Sequence, residues 1–175
     1  MAASNLQTET FTSENLVESA GTILFRLSTQ EVCVMRDIKR NEYILPKGRR
    51  NVGEARCDTA IRETTEETGI SCRLLPINIK SRLCSSEEMD VTDEARLFKG
   101  VYEPFSVQMR RIAEGEMKLI WWYVAAVNEN KPVGKCEDEF EIVWCGHEEV
   151  LEKLTFQNDR ELVARAIKLV QSCYP

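Results

Sequence analysis

Apolar and β-branched residues recur along the chain in short runs that predict a series of strands. These runs cover 20–27, 31–38, 43–45, 72–75, 77–83, 118–127 and 140–145. The run from Lys118 to Val127 is almost continuously apolar, which is typical of a strand buried on both faces of a sheet. Residues 84–117 mix charged and apolar positions, and this pattern predicts a long loop with short strand pieces.

Three further stretches, 54–68, 147–154 and 159–173, predict helices. The first contains no Gly or Pro until Gly69, which is a natural helix stop. The order of strands, helix, strands and helices predicts an α/β fold in which helices sandwich a mixed sheet. The third helix carries apolar residues at helical spacing, namely Leu162, Val163, Ala166, Leu169 and Val170.

The first 14 residues are polar and are predicted to form a flexible tail, which leaves residues 15–175 as one domain. The first twenty residues lack an apolar signal core. The longest apolar run, Leu119 to Val127, is far shorter than the ~20 residues of a membrane span. The expected location is therefore cytoplasmic and away from membranes, with secretion after removal of a signal left open. The oligomeric state is also left open.

The charge balance narrows the set of partners. The chain has 23 Lys and Arg against 29 Asp and Glu, a formal net charge of −6. General nucleic-acid binding is disfavoured, because neutralising phosphates needs clustered cations. A zinc site is also disfavoured, because the chain has one histidine and no Cys-x-x-Cys pair.

The first predicted helix concentrates three carboxylates on one face. Glu63, Glu66 and Glu67 lie at i, i+3 and i+4, which places their Cβ atoms about 5–6 Å apart, and like charges at that spacing repel. One interpretation is a solvated charged face on which Arg62 pairs with Glu66. The other is that the carboxylates share hard divalent cations, which take oxygen ligands, bind phosphate oxygens and activate water.

The spacing of the surrounding residues decides between these interpretations. The stretch from Gly48 to Ile70 resembles the box of the Nudix hydrolase family, G-x5-E-x7-R-E-U-x-E-E-x-G-U, in which U is aliphatic. Thr64 is the one departure, because the family usually has an aliphatic residue there. The resemblance implies a Nudix-type α/β/α sandwich and hydrolysis of a diphosphate linked to another moiety. The matching positions are Gly48, Glu54, Arg62, Glu63, Glu66, Glu67, Gly69 and Ile70.

The resemblance also assigns roles to individual box residues. Glu63, Glu66 and Glu67 would bind Mg²⁺ or Mn²⁺, and Glu63 would help take a proton from water. Gly48 would offer its carbonyl near the metal. Arg62 would hold the carboxylates through hydrogen bonds, so Arg62 and the three glutamates are the candidate catalytic residues.

A later acid is expected to complete the site, because members of the family often recruit one as a ligand or base. The candidates are Asp138, Glu137 and Glu139. Asp138 is the first choice for the metal site because of its offset from Trp144. Within the box, Glu54 would anchor the loop to the helix.

A local excess of cations predicts the kind of substrate. Residues 36–50 hold six Lys and Arg against two acids, whereas residues 137–161 hold nine acids against two cations. A cationic patch in an acidic protein suggests a heavily phosphorylated small molecule. The candidate substrate-binding residues are Arg36, Lys39, Arg40, Lys47, Arg49, Arg50, Arg110, Arg111 and Lys118.

The stretch 45–48, Leu-Pro-Lys-Gly, together with Arg62-Glu63-Thr64, resembles the branch of the family that cleaves diadenosine polyphosphates and diphosphoinositol polyphosphates. The diphosphoinositol type is slightly favoured because of Arg49 and Arg50. The alternatives are a nucleotide-sugar or nucleoside-triphosphate pyrophosphatase, an RNA-cap hydrolase, and an inactive Nudix fold that binds a ligand. Four aromatic residues would be available to stack on a base, although core packing is favoured for each: Tyr43, Tyr102, Phe105 and Trp122.

Overall fold

The computed structural model describes residues 8–84 and 92–174. Residues 1–7 of the predicted tail and 85–91 of the predicted loop lie outside these ranges. In chain order the elements are β1 (Leu16–Arg26), β2 (Glu31–Asp37), β3 (Glu42–Ile44), β4 (Lys47–Arg49), α1 (Arg56–Thr68), β5 (Cys72–Leu74), β6 (Ile77–Ser81), β7 (Arg96–Val101), β8 (Ser106–Ala113), β9 (Glu116–Val127), β10 (Phe140–Cys145), α2 (His147–Lys153) and α3 (Gln157–Cys173).

The main sheet is mixed, as predicted. Its central strands follow the order β10-β2-β1-β9-β5, while β3 pairs with β2, β4 with β1 and β8 with β9. Strands β1 and β9 are parallel, from Leu16 opposite Met117 to Phe25 opposite Ala126. The neighbouring β1–β2, β1–β4 and β8–β9 pairs are antiparallel. Strands β6 and β7 form a separate two-stranded sheet.

Strand β1 is buried on both faces because helices cover the sheet from two sides. Ile23 belongs to a large core that includes Val150 of α2 and Val163 of α3. Ala20 points to the other face, where it packs with Ala60 of α1. The predicted α/β class and the α/β/α sandwich are therefore confirmed.

Residues 84–117 were predicted as a long loop with short strand pieces, and the structure places two strands of six and eight residues there, β7 and β8. In β8 the apolar residues Val107 and Met109 are exposed, whereas Gln108 and Arg110 lie on the half-buried face. The apolar and polar positions of β8 alternate, but the apolar side chains face outward, which is the reverse of the pattern expected for a half-buried strand. Pairing with β9 is what makes this segment a strand.

The departure from the Nudix box at Thr64 has a structural explanation. Thr64 is fully buried, and its hydroxyl lies 2.9 Å from the hydroxyl of Thr22 on β1, which is also fully buried. A buried hydrogen bond between α1 and β1 thus takes the place of the apolar contact expected from an aliphatic residue.

Replacing Thr64 with Val is expected to lower the free energy of unfolding by about 1–3 kcal/mol, because the buried Thr22 hydroxyl loses this partner. The double variant Thr22→Val, Thr64→Val is expected to be nearly as stable as the wild type, since both polar groups are gone. Urea denaturation of the wild type, the two single variants and the double variant measures this coupling. Additive losses in the double variant would contradict the expectation.

Candidate active site

Arg62 connects α1 to the chain that precedes it. Its Nε donates to Glu54 Oε1 at 2.7 Å, and its Nη1 donates to Glu63 Oε1 at 2.7 Å and to Glu66 Oε2 at 2.9 Å. Its Nη2 donates to Glu54 Oε2 and to the carbonyl of Arg49, each at 3.0 Å. The hydrogen bonds expected of Arg62 are present, and they hold two glutamates of α1 beside the end of β4.

Glu54 has the anchoring contacts that the box implies. Its Oε2 accepts hydrogen bonds from the backbone N–H of Asn51 at 3.0 Å and from the Thr59 hydroxyl at 2.8 Å. The hydrogen bonds from Arg62 and Asn51 lower the pKa of Glu54 to about 2. The ionised carboxylate therefore stabilises the junction between the loop and α1.

Glu54 is expected to make the protein sensitive to acid. Its folded pKa of about 2 lies below the ordinary value of 4.5, so its contribution to stability is complete above pH 4.5 and is lost as the pH falls towards 2. Urea denaturation of the wild type and of Glu54→Gln between pH 6 and pH 2.5 checks this. The gap in free energy of unfolding between the two proteins should narrow with acid, and a constant gap would contradict it.

Strand β4 brings its backbone against two glutamates of α1. A Cβ atom on Gly48 would overlap the carboxylate of Glu63, so glycine permits this close approach. The backbone N–H of Lys47 donates to Glu67 Oε2 at 2.7 Å. Glu63 and Glu67 therefore face β4, whereas the side chain of Glu66 is 54% exposed.

Negative charge is concentrated around Glu67. Burial raises the pKa of Glu67 to about 7, and the charges of Glu63 and Glu137 add to that rise while Lys47 opposes it. A cation placed among these carboxylates would relieve both the burial penalty and the repulsion.

The donor set fits a hard divalent metal. Three carboxylates and the Gly48 carbonyl are oxygen ligands, which suit Mg²⁺ and Mn²⁺. Among the described residues, no group of three His, Cys, Asp or Glu side chains is already gathered as a metal cluster. In this structure the carboxylates of Glu63 and Glu66 are instead bound to Arg62.

The three candidate downstream acids occupy different positions. Asp138 is 82% exposed, and its Oδ1 lies 2.6 Å from Lys135 Nζ. The backbone N–H of Glu137 donates to the carbonyl of Glu67 at 3.4 Å, and the charge of Glu137 acts on the Glu67 carboxylate. Glu139 lines a cavity together with Asp138. Of the three, Glu137 is the acid that interacts with the glutamates of α1.

Four of the predicted substrate cations converge on the sheet face opposite α1. Burial lowers the pKa of Lys118, and the charges of Lys47, Arg110 and Arg49 lower it further. Arg110 lies directly opposite Lys118 in the β8–β9 ladder. On β4, Lys47 and Arg49 alternate with Gly48, so their side chains leave the strand on the other face. These four residues are called the cation cluster below.

Two other predicted cations are engaged elsewhere. Arg36 forms an ion pair with Glu141 at 2.8 Å on the β2–β10 side of the sheet. Arg111 lies 3.5 Å from Glu9, and it points to the face of β8 opposite that of Arg110. The structure therefore does not bring Arg36 and Arg111 into the cation cluster.

Arg50 forms an ion pair with Glu18, a residue that the sequence analysis did not identify. Its guanidinium donates to Glu18 Oε2 at 2.8 Å and to the carbonyl of Glu54 at 2.7 Å. Glu18 of β1 also binds Arg56 of α1 and accepts a hydrogen bond from Trp121 of β9 at 2.9 Å. In the sequence, Glu18 is marked only as a single acid at the start of an apolar strand.

Two adjoining cavities lie beside the cation cluster. Lys39 and Arg40 line a cavity of 640 Å³ together with Lys47 and Asp138. Arg40 and Lys47 also line a cavity of 160 Å³ together with Arg110. Arg40 and Lys47 line both cavities, so the predicted substrate cations of the β2–β3 turn lie next to those of the cluster.

A buried acid that the sequence analysis did not single out holds Arg110. Asp159, in the first turn of α3, has a side chain only 3% exposed. Its Oδ1 accepts hydrogen bonds from Gln108 Nε2 at 3.2 Å and from Arg110 Nη2 at 3.3 Å. The Trp122 indole donates to Gln108 Oε1 at 3.0 Å, which fixes this amide on the sheet.

The fold is an α/β/α sandwich in which one helix carries a group of carboxylates. The NUDIX domain family matches residues 16–166. That match spans most of the chain, which therefore belongs to the NUDIX domain family. Members of this family generally use divalent metals, typically Mg²⁺, and act on small-molecule phosphates.

Solved structures resemble this chain at the level of the fold. A C. elegans Ap4A hydrolase in a binary complex is 19% identical with a TM-score of 0.60, over 90% of this chain and 99% of that one. A NUDIX-family hydrolase from Clostridium perfringens is 15% identical with a TM-score of 0.60, over 91% and 99%. The E. coli ORF135 protein is 16% identical with a TM-score of 0.57, over 92% and 94%.

A search of curated protein sequences gave no significant match. Within residues 8–84 and 92–174, no helix is both long enough and apolar enough to cross a membrane.

Proposed function

We propose that this protein hydrolyses a phosphoanhydride bond in a highly phosphorylated small molecule, with Mg²⁺ or Mn²⁺ as cofactor. The observation that supports this most directly is the position of the cation cluster. Lys47 of the cluster donates its backbone N–H to Glu67 Oε2 of α1 at 2.7 Å, and the charge of Lys118 acts on Lys47, Arg110 and Glu67. One substrate can therefore place its scissile bond at the glutamates and its other phosphates at the cluster.

Each part of the site has a distinct role in this proposal. Glu63, Glu66, Glu67 and the Gly48 carbonyl would hold the metal, which when bound neutralises phosphoryl oxygens and activates water. Glu63 accepts a proton from the attacking water. Arg62 keeps Glu63 and Glu66 oriented through its hydrogen bonds. The cation cluster binds the phosphates that do not react.

We assign the additional acid to Glu137 ahead of Asp138. The charge of Glu137 acts on Glu67, whereas Asp138 is exposed and paired with Lys135. Rates measured for Glu137→Gln and Asp138→Asn under the same conditions distinguish the two. A larger loss for Asp138→Asn would reverse the assignment.

The aromatic residues favour diphosphoinositol polyphosphates over diadenosine polyphosphates as substrates. Trp122 and Phe105 are 1% and 5% exposed, so neither offers a ring face for stacking on a base. Tyr102 is 57% exposed, but it lies outside the cavities beside the cluster. The fold-level similarity to an Ap4A hydrolase keeps diadenosine polyphosphates as the second candidate.

A substrate panel in Mg²⁺ and in Mn²⁺ tests the proposal. It includes diphosphoinositol polyphosphates, dinucleoside polyphosphates, nucleotide sugars, nucleoside triphosphates and capped RNA. The highest kcat/KM is expected for a diphosphoinositol polyphosphate. Faster turnover of capped RNA would identify an RNA-cap hydrolase instead, and tight binding with no turnover in either metal would identify a binding module.

Two adjacent arginines are expected to behave differently. Arg49→Ala should raise KM for a polyphosphate by about tenfold, because a charged group of the cation cluster is lost. Arg50→Ala should leave KM nearly unchanged and lower the free energy of unfolding by about 1 kcal/mol, because its ion pair with Glu18 is lost. Steady-state kinetics at 50 and 300 mM salt, with urea denaturation, measures both effects. Equal KM values for wild type and Arg49→Ala would contradict the role of the cluster.

A further inference from the structure

Ser19 of β1 is a buried polar residue, and no contact among the described residues explains why its hydroxyl is buried. Its side chain is 0% exposed, and its hydroxyl is one of the two buried side-chain polar atoms without a hydrogen-bond partner among the described residues. Leaving a buried hydroxyl unpaired costs free energy. Such groups are rare in folded proteins, and each one calls for a specific explanation.

The strand registers place Ser19 in the middle of the cation cluster. Arg49 of β4 lies opposite Ser19 on one side, and Ile120 of β9 lies opposite it on the other. Lys118 is two residues before Ile120, so its side chain leaves the sheet on the same face as that of Ser19. Arg110 lies opposite Lys118 on the next strand.

The neighbour of Ser19 on the same face of β1 is also a small residue. Gly21 occupies the next position on the same face of β1, opposite Lys47. A Cβ atom on Gly21 would overlap the carbonyl of Pro46, the Lys47 side chain and the Trp122 ring. A serine and a glycine are therefore framed by long cationic side chains. Arg49 and Lys118 have flexible stems, so their charged ends are able to rearrange around an anion.

We propose that Ser19 is a specificity-determining residue whose hydroxyl donates a hydrogen bond to a non-scissile phosphate of the substrate, held between Arg49 and Lys118. This proposal rests on the proposed function, because the phosphate belongs to the substrate cleaved at the glutamates of α1. The phosphate oxygens supply the acceptor that Ser19 lacks, and their negative charge offsets the mutual repulsion of the cations around it. Substrates with several phosphates beyond the scissile bond therefore bind best.

If the proposal is correct, Ser19→Ala affects stability and polyphosphate affinity in opposite directions. Removing an unpaired buried hydroxyl is expected to keep or raise the stability of the free protein, while affinity for polyphosphate falls. A buried water bound to Ser19 predicts the reverse, because its removal would lower stability and leave affinity unchanged. The proposal therefore predicts weaker polyphosphate binding with unchanged or higher stability. A bound water predicts lower stability with unchanged binding.

The experiment uses inorganic tripolyphosphate as a probe in metal-free buffer containing EDTA. Isothermal titration calorimetry is expected to show a Kd about tenfold weaker for Ser19→Ala than for the wild type. Urea denaturation is expected to show a midpoint that is unchanged or higher. Thr22→Val is the matched control, because its buried hydroxyl points to the other face and is paired with Thr64. That variant should lose stability and keep the wild-type Kd.

An unchanged Kd in Ser19→Ala, or no binding of tripolyphosphate by the wild type, would overturn the proposal. Because binding is measured without metal and without turnover, it is independent of hydrolysis. If the substrate panel shows no turnover while Ser19→Ala still weakens tripolyphosphate binding, the proposed function fails and the phosphate subsite stands.

Discussion

Replacing Glu66 with Gln is expected to lower kcat by about 10²-fold or more while leaving stability almost unchanged. Glu66 is 54% exposed and its carboxylate pairs with Arg62 at 2.9 Å, an exposed pair of the kind that contributes about 0–1 kcal/mol. A metal ligand contributes several kcal/mol to the reaction, and each 1.36 kcal/mol is about tenfold in rate. Initial rates on the preferred panel substrate, with urea denaturation of the same samples, measure both quantities.

Glu152→Gln provides the matched control for this variant. Glu152 is an exposed acid on α2, outside the site, and the substitution removes the same charge from the whole protein. It should retain wild-type kcat. Equal activity in Glu66→Gln and in the wild type would remove the metal site from the proposal.

Replacing Arg62 with Ala is expected to damage both stability and activity. The side chains of Glu54 and Glu63 are each only 15% exposed, and each carboxylate accepts a hydrogen bond from the Arg62 guanidinium. Removing the arginine leaves two poorly solvated carboxylates without their partner, which should lower the free energy of unfolding by about 2–3 kcal/mol. Since Glu63 and Glu66 lose their orientation, kcat should also fall by about 10–100-fold. Urea denaturation and steady-state kinetics check the two effects separately.

Two further variants sharpen this prediction. Arg62→Lys is expected to recover little, because one ammonium cannot replace a planar guanidinium that donates to three carboxylates and a backbone carbonyl. Arg62→Ala combined with Glu54→Gln is expected to regain part of the lost stability, because one uncompensated carboxylate is removed. Full recovery in Arg62→Lys would show that a single positive charge is sufficient and would contradict the geometric role.

Elements with strong local signals were predicted well. Helix α1 was predicted from a stretch without Gly or Pro and a Gly stop, and Gly69 adopts the left-handed φ of 70° that this stop requires. Strand β9 was predicted from its continuous apolar run, and helices cover both of its faces. The extent of strand β8 was not predicted because its inner face carries Gln108 and Arg110, whose partners are Trp122 and Asp159 from elsewhere in the chain.

Some residues of the candidate site could also be identified from the sequence, whereas others could not. Glu63, Glu66, Glu67 and Arg62 were identified as a group because helical geometry alone places them together. The nine candidate cations could not be sorted from the sequence, since charge alone does not show which partner each one finds. Ion pairs with Glu141 and Glu18 occupy Arg36 and Arg50, and only the folded chain brings these acids to them.

The sequence by itself determined the carboxylate helix and which of its acids share a face, because residues three and four positions apart on a helix are neighbours wherever that helix packs. Only the tertiary structure decided which cations gather and what lies between them. Lys47, Arg49, Arg110 and Lys118 come from three strands, and the pairing of those strands with each other and with β1 places them on one face around Ser19. Register is set by side chains far apart in the chain, so no local pattern could have shown this grouping.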